Sequence, residues 1–326
     1  MKNIFVLGSN SFSGSSFVKY LLKKKYKVIA ISRSSENPQY YLPYDRGDKN
    51  KKFFKLQIGK DTKKIVDLVK KYKPIYIINY GSQSMVGESW DNPEDWFKTN
   101  SLEIPILYKK IFDLKLIKKL VHVSTPEVYG SDQNYLKESF NFNPSTPYAV
   151  SRTTADLYLK ILFENFKSPF IILRASNVYG EYQRLYRIIP KAINFFNQKK
   201  VLPLHGNGSS VRSFIHIDDV CEATYKALKK GKSGNIYHIS SDYYISIKKL
   251  LEKISKIMNV DYKKYVNNVA DRKGKDGFYK LNSNKIKKLG WKTKINLNLG
   301  IKKVISWYKI NEKNFKNKDY IYIHKK

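Results

Sequence analysis

Five short apolar runs, at residues 4–7, 28–31, 75–79, 120–124 and 170–174, alternate with stretches of helical period at about 14–25, 62–72, 96–112 and 148–166. A chain that repeats strand, helix, strand in this way reads as a doubly wound parallel sheet of the α/β class. Beyond residue 175 the rhythm breaks. Pro190, Pro203, Gly206-Asn207-Gly208 and the glycines Gly231 and Gly234 cut the chain into shorter elements. The expected organisation is therefore a dinucleotide-type domain at 1–175 and a smaller C-terminal lobe at 176–326. Segments at about 211–240 are expected to return to the first domain.

The turn after the first apolar run is Gly8-Ser9-Asn10-Ser11-Phe12-Ser13-Gly14. A glycine-rich turn has meaning in this context, between a first strand and a first helix. Gly8 lets the chain turn sharply, Gly14 lets helix and strand approach, and the helix N-terminus can receive a pyrophosphate. Ser11 stands where a middle glycine is usual, small enough to leave the backbone open to a phosphate. Asn10, Phe12 and Ser13 complete this cofactor-binding candidate; the alternative is a tight structural turn. The end of the second strand bears on which dinucleotide is bound. An acidic residue there would hydrogen-bond a ribose diol and repel a 2′-phosphate. The chain instead has Ser32-Arg33-Ser34-Ser35, hydroxyls and a guanidinium that suit a phosphate. NADP is the expected cofactor, with NAD the alternative, unless Arg33 is merely one of many exposed cations.

The fourth of these strands delivers Ser124-Thr125-Pro126-Glu127-Val128-Tyr129-Gly130, and Pro147-Tyr148-Ala149-Val150-Ser151-Arg152 opens the helix that follows. Open α/β sheets place ligands at such strand ends. Tyr148 and Arg152, four residues apart, share a helix face. A guanidinium favours phenolate, so Tyr148 is expected to take a proton from an alcohol near neutral pH, while Glu127 offers a second, independent base. Two bases beside a redox cofactor suggest oxidation coupled to a further proton transfer.

Composition removes several other classes. No run of about 18 apolar residues exists, so no membrane span is expected. The first residues read directly into a strand without a cleavage pattern, and the expected location is the cytoplasm. A single cysteine, Cys221, excludes an internal disulfide framework. Five scattered histidines leave no zinc-site spacing and no metal is expected. The net charge of +35 raises nucleic-acid binding, but lysine is spread through nearly every helix and reads as a solvated surface. Steering of an anionic substrate is the remaining use of such a field.

Taken together these motifs resemble the extended short-chain dehydrogenase/reductase family, and within it the nucleotide-sugar 4,6-dehydratases and epimerases. The resemblance also rests on Asn79-Tyr80-Gly81-Ser82-Gln83-Ser84, Thr99-Asn100, Arg174-Ala175-Ser176-Asn177-Val178-Tyr179-Gly180, the segment from Val211-Arg212 to Asp218-Asp219, Asp271-Arg272-Lys273-Gly274-Lys275-Asp276 and Leu289-Gly290-Trp291. It implies a Rossmann domain with a smaller substrate lobe, and a homodimer formed through the helices around 99–113 and 148–166. It also implies a reaction in which Tyr148 deprotonates the sugar 4-hydroxyl as hydride leaves C4. Glu127 then removes the acidified C5 proton, water leaves from C6, and hydride returns there. Thr125 would hold the 4-oxygen. Tyr80, Gly81 and Ser82 would line the cofactor, and Ser84, Asn177, Arg187, Arg212 and Arg272 the substrate. Glu127 argues for a dehydratase, because related epimerases commonly lack it.

The chain departs from the family at three places. Pro126 stands where many of the dehydratases carry Asp, Arg152 where the family carries Lys, and Gln57-Ile58 where an Asp usually meets adenine. Met85 stands where dehydratases often have His and is expected to pack. His216 is expected to be a hydrogen-bonded core residue, and Trp90, Tyr243 and Tyr244 are expected to be core aromatics. The rival readings are an epimerase or 4-ketoreductase on the same scaffold, and a non-catalytic dinucleotide- or polyanion-binding protein. The nucleotide base and the sugar are open.

Overall fold

The computed structural model describes residues 2–131, 135–270, 278–315, 321–322 and 324. Its strands in chain order are β1 (Asn3–Leu7), β2 (Lys27–Ser32), β3 (Lys51–Lys55), β4 (Tyr76–Asn79), β5 (Lys119–Val123), β6 (Tyr135–Leu136), β7 (Phe170–Ala175), β8 (Asn177–Tyr179), β9 (Leu202–His205), β10 (Val211–His216), β11 (Asn235–Ile239), β12 (Tyr244–Ser246), β13 (Val266–Val269) and β14 (Lys280–Leu281). Seven of them form one parallel sheet in the order β11-β7-β5-β4-β1-β2-β3. The winding direction reverses between β1 and β4, and the crevice beyond their C-terminal ends is where such sheets bind ligands.

The longer helices are α1 (Phe12–Lys23), α2 (Thr62–Tyr72), α3 (Ile104–Asp113), α4 (Pro147–Phe166), α5 (Ile188–Asn197), α6 (Ile217–Lys230), α7 (Ile247–Met258) and α8 (Leu297–Asn311). Alternate residues of each central strand face opposite layers. Ile4, Val6, Ala30, Val121 and Leu173 pack with α1 and α6. Phe5, Leu7, Ile29, Leu120 and Ile172 pack with α2, α3 and α4. Both faces being covered explains why the strands read as continuous apolar runs. A separate core holds the C-terminal lobe, where Ile193, Phe196, Leu250, Ile254, Ile301 and Trp307 join α5, α7 and α8. The three-stranded sheet β12-β10-β8 lies in this half of the chain, while β11 returns to the central sheet.

Local chemistry sets the helix starts. The Ser11 hydroxyl accepts from Gly14 N, so α1 begins at Phe12, two residues ahead of the sequence expectation. Thr146 accepts from Ala149 N and Pro147 occupies the first turn of α4. The helix expected at 96–112 is less regular than its pattern: Pro93–Trp96 is followed by a π-helical stretch, Phe97–Glu103, which leads into α3. That wider turn carries the buried Asn100, which accepts from Gln83 N and donates to Gln83 O and Ser151 Oγ, each at 3.0 Å. It thereby ties the loop after β4 to α4. Among the described residues no helix is long and apolar enough to cross a membrane.

Candidate active site

The turn after β1 is built for close approach. Gly8 has φ +71°, and a Cβ there would lie 2.4 Å from Gly81 N, so the loops after β1 and β4 touch. A Cβ on Gly14 would lie 2.3 Å from Gly8 O. Ser11, at the middle position, donates from its hydroxyl to Gly8 O at 2.7 Å and accepts from Gly14 N at 3.0 Å, closing the turn itself. Asn10 Nδ2 donates to Ser34 O (2.9 Å) and Ser35 O (2.7 Å), fastening the turn to the loop after β2. Between these loops lies a cavity of 270 Å³ lined by Gly8, Asn10, Ser11, Ser32, Arg33, Ser34, Tyr80, Gly81 and Ser82, with Gln57 and Ile58 from the end of β3. A backbone cradle that a side chain would fill, a helix N-terminus and a row of hydroxyls fit a nicotinamide dinucleotide. Asp61 is not at the cavity: its carboxylate accepts from Gln57 N at 3.0 Å, a contact that holds it below the usual range.

A second cavity of 780 Å³ joins the first along Asn10, Ser11, Tyr80, Ser82 and Ser84, and Phe12 and Ser13 also line it. Thr125, Glu127, Tyr148 and Arg152 converge on it. Thr125 ends the extended backbone after β5, and its hydroxyl accepts from Glu127 N at 3.3 Å, starting the short helical turn Pro126–Tyr129 that presents Glu127. Tyr148 sits in the first turn of α4, its backbone N donating to Ser89 Oγ at 3.1 Å and its phenol hydrogen-bonded to Thr125. Arg152, one turn on and 2% exposed, donates to Val123 O, while its Nε is buried without a partner.

The expected ionisation of Tyr148 needs correction. Burial raises its pKa above the ordinary tyrosine value; Arg152 pulls it down, Glu127 adds to the rise, and the Thr125 hydrogen bond and Arg187 oppose it. Desolvation of a phenol that is 7% exposed outweighs the neighbouring guanidinium in the chain alone.

On the substrate side the cavity wall includes Ser84, Met85, Asn177, Arg187 and Arg212. Asn177 Oδ1 is buried without a protein partner. The Arg212 guanidinium lies 5.7 Å from the ring centroid of Tyr279, which also lines the wall. Arg272 and its motif at 271–276 lie outside the described residues. His216 is buried between Glu181 Oε2 (2.9 Å) and Asp218 N (3.2 Å). Trp90, on the short helix Glu88–Asp91, and Tyr243, just before β12, depart from the expected aromatic core, being 51% and 50% exposed. Tyr244 is half-buried against Tyr135 and Phe278.

The sequence reading passed over Arg184. This residue lines both cavities, stacks at 4.0 Å on the Tyr41 ring and donates to Asn37 Oδ1 at 2.6 Å. Asn37 in turn donates to Asn10 O at 2.8 Å. Its position three residues before Arg187, in the loop after a quoted motif, was the available clue.

Comparison with known proteins agrees with this fold. A model of the NAD dependent epimerase/dehydratase family matches residues 4–240. The dTDP-D-glucose 4,6-dehydratase of Dictyostelium discoideum is 31% identical, over 95% of this chain and 82% of its own length. The crystal structure of DesIV, a dTDP-glucose 4,6-dehydratase from Streptomyces venezuelae solved with NAD bound, superposes with a TM-score of 0.89 at 29% identity, covering 95% of this chain and 98% of that one. The UDP-glucose 4-epimerase of Thermotoga maritima, solved with UDP-glucose, gives a TM-score of 0.87 at 25% identity over 95% and 99%. With the family model matching residues 4–240 and a relative 31% identical over 95% of the chain, this protein belongs to the NAD-dependent epimerase/dehydratase family.

Proposed function

We propose that the protein is a nucleotide-sugar 4,6-dehydratase that converts an NDP-hexose to the 4-keto-6-deoxy sugar. The observation that carries this reading is the convergence of Thr125, Glu127, Tyr148 and Arg152 on one cavity continuous with the dinucleotide cleft. The dTDP- and UDP-sugars acted on by its relatives are the first substrates to try.

Thr125 orients the 4-hydroxyl, and Tyr148, with Arg152 stabilising its anion, removes the proton from that oxygen. A dinucleotide held by Gly8, Ser11, Tyr80 and Ser82 would supply the hydride chemistry at C4 and C6, and turnover would then need no external reductant. Once C4 is a ketone the C5 proton is acidic, and Glu127 on its turn removes it. Pro126 has no proton to offer the leaving C6 hydroxyl, and the conjugate acid of Glu127 supplies it. Arg187 and Arg212 face the cavity from separate segments, as a diphosphate with two negative charges requires. Asn177 and Ser84 serve the substrate from the same wall.

NADP is the proposed cofactor over NAD, supported by Ser32, Arg33 and Ser34 along the cavity wall, although the solved relatives carry NAD. Residues 1–175 are taken as the dinucleotide domain and 176–326 as the substrate lobe. Two copies are proposed to associate through α3, α4 and the π-helical stretch before α3, where Leu102, Ile106, Val150, Leu157 and Ile161 are exposed.

The test is mass spectrometry of purified protein incubated, without added cofactor, with dTDP-, UDP-, GDP- and CDP-hexoses. Loss of one water from one member is the expected outcome, and the denatured supernatant should contain NADP. An isomer of unchanged mass would overturn the dehydratase in favour of the epimerase. Release of NAD alone would overturn the cofactor assignment.

A further inference from the structure

Tyr148, Arg152 and Asp156 are spaced by four residues along one face of α4. An arginine and an aspartate so placed would ordinarily pair, and the guanidinium would then be neutralised from the side away from Tyr148. Here the pairing is prevented. Asp156, fully buried, accepts from Arg174 at 2.7 Å and from Ser124 Oγ at 2.7 Å, both on Oδ2, while His122 Nε2 lies 3.3 Å from Oδ1. Arg174 belongs to β7 and His122 to β5, so the sheet rather than the helix supplies the carboxylate's partners.

A directed hydrogen-bond chain fixes His122. Asn79 Oδ1 accepts from Gly81 N (2.8 Å), which turns Asn79 Nδ2 to donate to the Tyr108 oxygen (2.7 Å). The Tyr108 hydroxyl is hydrogen-bonded to His122 Nδ1 at 2.6 Å, so the imidazole is held with Nε2 towards Asp156 Oδ1, 3.3 Å away. The same Nε2 is also hydrogen-bonded to Arg152 NH2, at 3.5 Å. His122 therefore stands between Arg152 and Asp156. Arg152 bonds the Val123 carbonyl and His122, and keeps a buried, unpartnered Nε at the cavity.

We propose that Arg174 and His122 are positioning residues that occupy Asp156 and so leave the charge of Arg152 directed at Tyr148. This rests on the reading of Tyr148 as the base. The charged groups that face Tyr148 are Arg152 on its own helix, Glu127 on the turn after β5 and Arg187 before α5. Those that face Asp156 are Arg174 and His122, and beyond Arg174 stand Tyr129, Glu138 and His238. Without Arg174, Asp156 would be open to Arg152, one helical turn back. The arrangement accounts for an arginine in place of the family's lysine: its long fork is kept from folding down the helix onto the next carboxylate.

Two readouts separate this inference from the reaction assigned above. One is the pH dependence of turnover on the nucleotide sugar. The other, on holoenzyme without substrate, is the ¹³C NMR titration of the Tyr148 ring, assigned by its loss in Tyr148→Phe. Arg174→Met should move the Tyr148 midpoint up by roughly one pH unit and lower turnover near neutrality roughly tenfold, with KM unchanged. Arg174→Met combined with Asp156→Asn should return the midpoint to that of the parent, and Arg174→Lys should hold it. A merely structural role would lower activity without moving the midpoint, or leave the double variant shifted, and either result would overturn the proposal. Should Arg174→Met fail to fold, the double variant is compared with Asp156→Asn alone, and different midpoints would overturn it. A parent enzyme inactive on every sugar would sink the dehydratase but leave the titration to decide this point.

Discussion

In the proposed reaction Tyr148 and Glu127 have separable tasks, and single substitutions should show it. Tyr148→Phe removes the group that ionises the 4-hydroxyl, so kcat should fall about 10²–10⁴-fold while the cofactor stays bound. Glu127→Gln leaves that step in place but removes the base for C5. Dehydration and solvent-deuterium incorporation at C5 should then be lost together, as NMR of the recovered sugar nucleotide would show; retained exchange would reassign the base. A third expectation concerns stability. Burial holds His238 down to about 3 from its ordinary 6.5, with the charge of Arg174 adding to the effect. Between those values the unfolded chain binds a proton that the folded chain does not, so stability falls as pH drops below about 6.5 and goes on falling until about 3. Asp156, held near 2 against its burial chiefly by Arg174, adds a loss in the same direction between about 4 and 2. Near pH 5 the His238 contribution is on the order of 2 kcal/mol. His238→Gln, able to keep a bond to the Tyr129 hydroxyl, should flatten the decline in Tm between neutral pH and pH 5, and a decline equal to the parent's would refute the assignment to His238.

At the scale of elements, the turn joining β1 to α1 is where backbone geometry and binding meet. Gly8→Ala would place a methyl 2.4 Å from the backbone nitrogen of Gly81, in a left-handed conformation. The loops after β1 and β4 would have to part. The expected result is protein that folds with its sheet intact but is purified without dinucleotide, read from absorbance of the denatured supernatant. Full cofactor occupancy would show that the turn is structural only. The boundary of α1 was legible in the sequence to within two residues because a serine cap is a local signal. The π-helical stretch Phe97–Glu103 was not, because an extra residue per turn is imposed by the buried Asn100 and its partners in the β4 loop and α4.

For the whole molecule, Leu102, Ile106, Val150, Leu157 and Ile161 form the surface that two copies are proposed to bury. Replacing Leu157 and Ile161 with Glu should convert a dimer to a monomer in light scattering after size exclusion, and a parent that is already monomeric would remove the proposal. Composition and period alone determined the parallel α/β sheet, since a strand covered on both faces must be apolar throughout and each connection must be long enough for a helix. The glycine turn and the strand-end motifs were equally readable, because each is a run of neighbouring residues. What the tertiary structure decided was relations between distant segments. Arg184 reaches both cavities only because its loop folds against Asn37. Tyr148 is raised, where its neighbour Arg152 in sequence argued for lowering, because burial is set by everything packed around it. Arg152 is kept off Asp156 by residues from two other strands. Charge and hydrogen bonding act through space at a few ångströms, and a linear chain states which groups exist without stating which of them meet.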